Sequence, residues 1–357
     1  MRLNERSSAG LRLLAFSIFV LATGTSNPTN SRSITLCAKP FLNGSPVKAE
    51  SLGDELGRRQ KQDGLTLISI SFSKVYAIDF ANRSLNLAPR ALKNLNSRYG
   101  TVSPDGTQAA FDSCGNTPGL QELHDSKSNC AGPSDLGTAM LDGSGLRTIP
   151  EITSPSFDIC WSPDASKIAL SGGRDDDLEI VDSHTGKSQS IDEGAGNAFF
   201  EPRCWSRDGS LIAYTRNLTM KRTVVIYNIK TRQKTEIALG GNANWIPGTD
   251  WISFKHCGLD LQYCTYYQVR PDGSGAKVLF KTLAADTGLS WSSDGRLAAY
   301  VSVGFWAEPI GVSSRVRVWR ISDNSEVWVS SRRETDPVFF QWIANKNLLS
   351  GTNLQVK

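Results

Sequence analysis

The seven cysteines are the residues of this sequence with the clearest capacity for chemistry. Cys114 and Cys130 bracket a polar stretch of 15 residues, and Cys257 and Cys264 bracket a stretch of six between two apolar runs. Both pairs flank segments in which loops are expected, so we predict the disulfides Cys114–Cys130 and Cys257–Cys264. In the chain-entropy model, closing the longer loop would stabilise the fold by about 3 kcal/mol.

Free thiols and zinc are the alternatives for these cysteines. No pair has the spacing of two to four residues that zinc ligands favour, and the sequence has only three histidines, so no metal is predicted. Cys160 and Cys204 each directly precede a tryptophan, and we expect both to be small buried side chains. Cys37 is left without a role.

Groups suited to catalysis are sparse. The sequence has no G-x-S-x-G elbow, no P-loop and no G-x-G-x-x-G after a predicted strand, so no cofactor is expected. His124, His184 and His256 are scattered and are expected to be solvated. The run of three aspartates at 175–177 could bind calcium, but it lacks the D-x-D-x-D-G pattern, which favours a solvated acidic turn. We predict no catalytic residue and no enzyme activity.

The N-terminal segment has the pattern of a secretory signal peptide. Three arginines lie in the first 12 residues, followed by the ten apolar residues LLAFSIFVLA and small residues at Ala22 and Gly24. The apolar stretch is too short for a bilayer, which needs roughly 20 residues. We predict a signal peptide over residues 1–24, with an uncleaved anchor as the alternative.

Export to the periplasm or the medium agrees with the cysteine content, since disulfides persist in oxidising compartments. Removing residues 1–24 takes away three arginines and one glutamate, which lowers the formal net charge from +4 to +2. A charge this close to neutral gives no reason to expect nucleic acid or an anionic membrane as a partner.

A repeated pattern organises the rest of the chain. Each copy reads as a short strand, a turn of the Ser-Pro-Asp-Gly type and an alternating strand, and a further strand–turn–strand half follows. Four strands in 40–50 residues are typical of one blade of a β-propeller. Five copies are marked by Trp161, Trp205, Trp245, Trp291 and Trp342, and Val102 takes this place in the first copy.

Residues 67–89 have the pattern of the second half of a repeat, with no first half before them. The last repeat, at the C-terminus, has too few strands for a complete blade. We therefore predict an all-β, six-bladed propeller of four-stranded antiparallel blades over residues 65–357, closed by N-terminal strands that complete the C-terminal blade. In the extension at 25–64, Ser45-Pro46 predicts a helix start and Gly64 a helix end, with a disordered linker as the alternative.

These repeats resemble those of the TolB-like six-bladed β-propellers. The first half of the family repeat is similar to Trp161-Ser162-Pro163-Asp164, and the second half is similar to Met140-Leu141-Asp142-Gly143. The resemblance covers residues 67–357 and implies the fold rather than a function. TolB proper carries an α/β domain before its propeller, and the roughly forty residues available here are too few for one.

The longest connections of the predicted blades, the b–c connections and one d–a connection, lie on one face, which we call the loop face. Loops on a rigid scaffold are the usual place for binding residues, and exposed aromatics are favoured there. The residues predicted to bind are Phe199, Phe200, His256, Phe305, Trp306 and Glu308.

Two classes of function follow from this arrangement. The first is an exported, monomeric, non-catalytic scaffold whose loop face engages a protein or peptide partner in the cell envelope. The second is a lyase or hydrolase that acts on a polysaccharide or small substrate at the channel mouth. The second class would need a cluster of histidine, tyrosine, arginine or carboxylate side chains there, and the sequence shows no clear one.

Overall fold

Antiparallel β-strands make up almost all of the described structure. The computed structural model describes residues 56–62, 64–71, 74–82, 84–87, 97–114, 134–154, 158–171, 178–192, 200–201, 203–218, 221–258, 263–283, 287–307, 310–330 and 340–344. Within these ranges, no helix has the length and apolar character needed to cross a membrane.

The first seven strands belong to one sheet, in the order β3-β2-β1-β4-β5-β6-β7. They are β1 (Leu65–Ser71), β2 (Lys74–Asp79), β3 (Ser84–Leu87), β4 (Ser97–Val102), β5 (Gln108–Cys114), β6 (Ser134–Met140) and β7 (Arg147–Ser154).

The remaining strands follow the chain in smaller sheets of four, three, four and four strands. The first two of these sheets contain β8 (Asp158–Trp161), β9 (Lys167–Ser171), β10 (Leu178–Asp182), β11 (Ser188–Asp192), β12 (Leu211–Leu218), β13 (Lys221–Asn228) and β14 (Lys234–Leu239). The last two contain β15 (Gly241–Trp245), β16 (Ile252–Cys257), β17 (Tyr263–Val269), β18 (Lys277–Leu283), β19 (Thr287–Trp291), β20 (Leu297–Ala307), β21 (Ile310–Arg320) and β22 (Ser325–Val329). The final described strand is β23 (Gln341–Ala344).

The two ends of the described chain meet in one sheet. Strand β23 pairs antiparallel with β1, with Trp342 opposite Leu67, and β2 and β3 continue outward from β1. The sequence also predicts that residues 67–89 pair with the strand that contains Leu348 and Leu349, and both of these residues lie outside the described ranges. The result is an all-β, propeller-like arrangement of sheets.

The predicted turn chemistry is confirmed in the turns that follow β4, β8, residues 203–205 and β19. In the turn after residues 203–205, Ser206 Oγ donates to Asp208 Oδ1 at 2.6 Å and accepts from the Leu211 amide at 2.9 Å. The same pairs form in the other three turns. Ala165 occupies the left-handed position (φ 57°) where the other turns have glycine.

The repeat tryptophans lie in the cores between neighbouring sheets. All five are no more than 6% exposed. Trp161 Nε1 donates to the Thr101 carbonyl at 3.4 Å, and Trp205 Nε1 donates to the Cys160 carbonyl at 3.2 Å, so each ring reaches back to the preceding sheet. Large aromatic rings of this kind supply much of the apolar area buried in a core.

The residue directly before each repeat tryptophan links neighbouring sheets. Asn244 Nδ2 donates to the Leu289 carbonyl at 3.5 Å, and Ser290 Oγ accepts from the Trp342 amide at 3.3 Å. Gln341 makes three hydrogen bonds to Thr101 and Val102. These contacts tie the inner strand of one sheet to the inner strand of the next.

At the same position, Cys160 and Cys204 form a disulfide. Both side chains are fully buried, as expected. The sequence interpretation of these two residues as unbonded small side chains is corrected by this bond, because the inner strands bring the two sulfur atoms together although 44 positions separate them.

A short helix over residues 56–62 precedes β1. Its Leu56 packs in the core with Phe80 and Trp342. Gln60 Nε2 donates to Thr66 Oγ1 at 2.7 Å and so ties the helix to β1. Gly64 adopts a left-handed conformation (φ 68°), and its amide donates to the Gln60 carbonyl at 3.1 Å, which ends the helix in the way such glycines commonly do.

Candidate functional site

The loop face is the end of the sheets at which the inner strands β8, β15 and β19 begin. The opposite end, which carries the Ser-x-Asp turns, is called the turn face. Since neighbouring strands are antiparallel, β16 and β18 end at the loop face and β17 begins there. Residues near these strand ends are therefore the candidates for a site.

A group of polar residues lies at the loop-face end of the inner strands. We call it the inner-strand cluster; its members are Asp158, Glu201, Asn242, Asn244 and Lys255. Glu201 is at its centre, 5% exposed, and accepts a hydrogen bond from Asn242 Nδ2 at 2.5 Å. Asn244 also hydrogen-bonds Glu201, while the charges of Asp158 and Lys255 act on it from neighbouring sheets.

Burial raises the pKa of Glu201 to about 7. The negative charge of Asp158 contributes to this rise, while hydrogen bonds from Asn242 and Asn244 and the charge of Lys255 oppose it. Glu201 therefore exchanges its proton near neutral pH, which is the range in which a carboxyl group acts well as an acid or base.

Asp158 carries the second carboxylate of the cluster. Its side chain is exposed and accepts a hydrogen bond from Ser171 Oγ at 3.2 Å. Surrounding protein nevertheless desolvates the carboxylate and raises its pKa to about 6, against the effect of the Ser171 bond. An accessible group in a desolvated place is expected at the wall of a concave surface.

The backbone beside Glu201 is held in an uncommon conformation. Asn242 has a φ of 57°, and among the described non-glycine residues with positive φ it is the one that lies within a strand. It falls in the irregular pairing between Gly241 and Asn244. Strain of this kind is found at functional sites more often than elsewhere. Here it accompanies the Asn242 hydrogen bond to Glu201.

Asp192, at the same face, differs from Asp158 and Glu201 because several side chains donate hydrogen bonds to its carboxylate. It ends β11 and is buried, and it accepts bonds from Tyr214 Oη at 2.6 Å, Lys234 Nζ at 2.6 Å and Arg216 at 2.6 and 2.8 Å. Burial opposes its ionisation, but the bonds from Lys234, Tyr214 and Arg216 outweigh burial and hold its pKa below the ordinary value. Asp192 therefore joins two sheets and has no capacity left for a ligand.

The sheet of β15–β18 presents an exposed apolar pair at the loop face. Tyr263 and Leu283 lie opposite each other in β17 and β18 and are 41% and 39% exposed. The expected disulfide joins Cys257 to Cys264 directly beside Tyr263, across a cross-strand pair of β16 and β17. His256 is exposed on β16, opposite Thr265.

The connection that contains Phe305 and Trp306 is a β-hairpin and not the predicted loop. Strands β20 and β21 continue to Ala307 and from Ile310, with Phe305 opposite Val312 and Trp306 opposite Gly311. Gly304 and Gly311 are both accommodated in the strand pairing. We call residues 302–307 and 310–315 the hairpin arm. It extends roughly 20 Å beyond the neighbouring strands, at 3.3 Å per residue.

The expectation that Phe200 is exposed is wrong. Its side chain is 4% exposed and packs against the Tyr214 ring, with the ring centroids 6.0 Å apart. Burying this ring stabilises the sheet junction, so it is withdrawn as a binding residue. Phe199 and Glu308 lie outside the described residues. So does Cys130, and of the pair Cys114–Cys130 the structure shows only that Cys114 ends β5.

Sequence reasoning missed the inner-strand cluster and the Tyr263–Leu283 pair. The cluster residues come from three repeats, with Asp158 in one, Glu201 in the next and Asn242, Asn244 and Lys255 in the third, and no local motif joins them. The available signal is positional, because Asp158, Glu201 and Asn242 each lie three or four residues before a repeat tryptophan. Among the described residues, no group of three His, Cys, Asp or Glu side chains could hold a metal ion.

Solved structures of other proteins resemble this arrangement. A TolB-type protein from Agrobacterium tumefaciens matches with a TM-score of 0.52 at 15% identity, covering 76% of this chain and 91% of that one. TolB from Acinetobacter baumannii matches with a TM-score of 0.56 at 11% identity, covering 78% and 66%. This chain has a TolB-like β-propeller fold.

A nidogen–laminin complex provides a third propeller-like match, with a TM-score of 0.55 at 12% identity, covering 79% of this chain and 99% of that one. No protein-family model and no curated protein sequence matches the chain. At these identities, the TolB-like likeness establishes the fold and leaves the function to be argued from the site.

Proposed function

We propose that this chain is an exported, non-catalytic TolB-like propeller whose loop face binds a protein or peptide partner. The observation that carries the proposal is the Tyr263–Leu283 pair, which is apolar, exposed and fixed beside the Cys257–Cys264 disulfide. Tyrosine is enriched among the residues that dominate binding energy, and a rigid anchor loses little conformational entropy on binding. The hairpin arm rises at the same face.

The full architecture that we propose is a ring of six blades over residues 65–357. The pairing of β23 with β1 supports closure, with one C-terminal strand and three N-terminal strands in the closing blade. The links made by the residues before the tryptophans support a ring, because they join consecutive inner strands. The inner-strand cluster then lies at the mouth of the central channel.

Export is supported by two disulfides, which an oxidising compartment maintains. We propose that residues 1–24 are a signal peptide, that 25–64 form an extension, and that the mature chain is a monomer. Mass spectrometry of exported protein tests this: the mature N-terminus is expected near residue 25, and without reduction the peptides of Cys160 and Cys204 are expected to be linked.

A titration of the captured partner tests the binding proposal. The partner is isolated from an envelope extract with the full chain as bait, purified and titrated against variants. Tyr263→Ala is expected to weaken affinity about five- to thirtyfold, the size expected for a central interface aromatic that contributes 1–2 kcal/mol. Trp306→Ala and Phe305→Ser on the hairpin arm are expected to act in the same direction, as are changes at Phe199, His256 and Glu308.

Val278→Ser is the matched control. Val278 lies on the same strand as Leu283, is 59% exposed and sits towards the turn face. It is expected to leave affinity unchanged, while Leu283→Ser weakens binding. Equal losses for Val278→Ser and Leu283→Ser would show general destabilisation, and wild-type affinity for Tyr263→Ala would remove the loop-face proposal.

The enzyme alternative is favoured by one specific observation, the two carboxyl groups of Asp158 and Glu201 with raised pKa values. A protonated Glu201 could donate a proton to a leaving oxygen while Asp158 remains ionised. A lyase or hydrolase of this kind would degrade an oligosaccharide panel in a way that Glu201→Gln abolishes. Product formation by the wild type that survives Glu201→Gln would point to a contaminant.

A further inference from the structure

The inner-strand cluster contains a buried acceptor without a donor. Asn244 is 1% exposed, and its Oδ1 has no hydrogen-bond partner among the described residues. Its Nδ2 faces the Leu289 carbonyl at 3.5 Å, and the same carboxamide bonds Glu201. Leaving such an atom unpaired costs about 1–3 kcal/mol, which a ligand with an N–H or O–H donor would relieve.

The charges around this acceptor are out of balance. Glu201 and Asp158 contribute two carboxylates, and Lys255 contributes one cation. The negative charge of Asp158 affects the pKa of Glu201 more strongly than the positive charge of Lys255 does. When both carboxylates are ionised, the cluster therefore carries an excess negative charge in a desolvated place, where charge interactions are strong.

We infer that the inner-strand cluster binds a primary ammonium group, which hydrogen-bonds the carboxylates of Asp158 and Glu201 and the Oδ1 of Asn244. An ammonium group has three N–H donors and no acceptor, which matches three acceptors. Calcium takes six to eight oxygen ligands, more than these three. The group belongs to a lysine side chain of the partner, and this last statement rests on the proposed function.

Carbon-13 NMR of the Glu201 side-chain carboxyl group in the full chain tests the site with methylammonium as the probe. Bound methylammonium is expected to lower the apparent pKa of Glu201 by at least one unit. Since Glu201 ionises near pH 7, methylammonium binding is expected to be about tenfold weaker at pH 6 than at pH 8. An unchanged pKa at saturating probe would overturn the inference.

Substitutions at two residues of the cluster and at one control residue test the methylammonium site without relying on Glu201 alone. Glu201→Gln retains an oxygen that accepts from Asn242, and it is expected to weaken methylammonium binding at least tenfold. Asp158→Asn changes an exposed side chain on another strand and is expected to weaken binding severalfold. Asp208→Asn at the turn face is the matched control and is expected to bind like the wild type; equal losses in all three variants contradict a site at this cluster.

Two further cations distinguish an ammonium site from simple charge screening and from a calcium site. Tetramethylammonium has the same charge without N–H donors and is expected to leave the pKa of Glu201 unchanged; an equal shift would show simple charge screening. A larger shift with calcium than with methylammonium would overturn the ammonium assignment. Methylammonium binding without any captured partner supports the site and contradicts the proposed function. Partner capture without methylammonium binding supports the proposed function and contradicts the site.

Discussion

Asp158 and Asp164 lie at the two ends of one inner strand and its turn, and their pKa values shift in opposite directions. At the turn face, bonds from Ser162 and then Ser166 outweigh desolvation and lower the pKa of Asp164. At the loop face, desolvation raises the pKa of Asp158 to about 6. The same residue type is thus held by several hydrogen bonds at the turn face and by a single bond, from Ser171, at the loop face.

This difference separates the structural end of the fold from its candidate working end. The turn at Asp208 repeats the pattern of Asp164, with bonds from Ser206 and Ser210 that lower its pKa. Glu201, four residues before Trp205 and on the loop-face side of the same turn, has its pKa raised to about 7. Regular, fully bonded turns fix the strands, and the stability they provide allows an unfavourable arrangement at the other end.

The largest expected effect concerns Asp192, a buried carboxylate at the loop face that accepts bonds from three side chains. Asp192→Asn removes the charge that Tyr214, Arg216 and Lys234 share, and should lower the free energy of unfolding by about 3 kcal/mol. Urea denaturation at pH 7 measures it. A loss under 1 kcal/mol would mean that Asp192 is no better partnered than Asp158.

Glu201→Gln should have the opposite sign and depend on pH. A carboxyl whose folded pKa is raised stabilises the fold below its unfolded pKa of about 4.5 and loses that contribution as pH rises through about 7. The variant should therefore gain up to roughly 3 kcal/mol over the wild type at pH 8 and gain nothing at pH 4. Equal stability of both proteins at every pH would show that Glu201 is not desolvated.

Ser206→Ala tests how much the serine hydrogen bonds at the turn face stabilise the fold. The change removes the bond to Asp208 and the acceptor of the Leu211 amide, so a loss of about 1–2 kcal/mol is expected in thermal or urea unfolding. Ser293→Ala, an exposed residue of the equivalent turn before β20, is the control and should change little. Matching losses for the two would mean that the serine bonds contribute nothing specific.

The smallest effect is expected at Ala165, the one of these four turns without glycine. Its φ of 57° lies in the left-handed region, which costs non-glycine residues about 1–2 kcal/mol. Ala165→Gly should raise the free energy of unfolding by about 0.5–1 kcal/mol after the entropy cost of glycine, whereas Gly209→Ala should lower it. A stabilising Gly209→Ala would reverse this account of the turns.

The turn face could be predicted from the sequence because its chemistry is local. Ser206, Asp208 and Gly209 are close in the chain, and their bonds form within one turn. The loop face could not, since Asp158 and Glu201 are 43 positions apart and meet only when two sheets pack. The disulfide of Cys160 and Cys204 escaped prediction for the same reason.

Two further differences have local causes that the sequence pattern obscures. Phe200 precedes a charged residue and follows a glycine-rich segment, which suggested an exposed loop, but its ring fills the junction beside Tyr214. The segment 304–314 contains Gly304, Pro309 and Gly311, yet residues 304–307 and 310–314 still pair as strands because both extend an existing ladder. A segment that continues an existing pair of hydrogen-bonded strands can adopt strand structure even when its residues alone have a low strand propensity.

The pairing of β1 with β23 determines when the protein can finish folding. Ile68 pairs with Gln341, 273 positions later in the chain. At about 5–20 residues per second of synthesis, β1 waits roughly 15–55 s for this partner. During that time the apolar segment LTLISIS keeps one edge unpaired, and such edges recruit strands of other chains. The nascent chain is therefore the form most exposed to aggregation, and the synthesis of β23 ends that exposure.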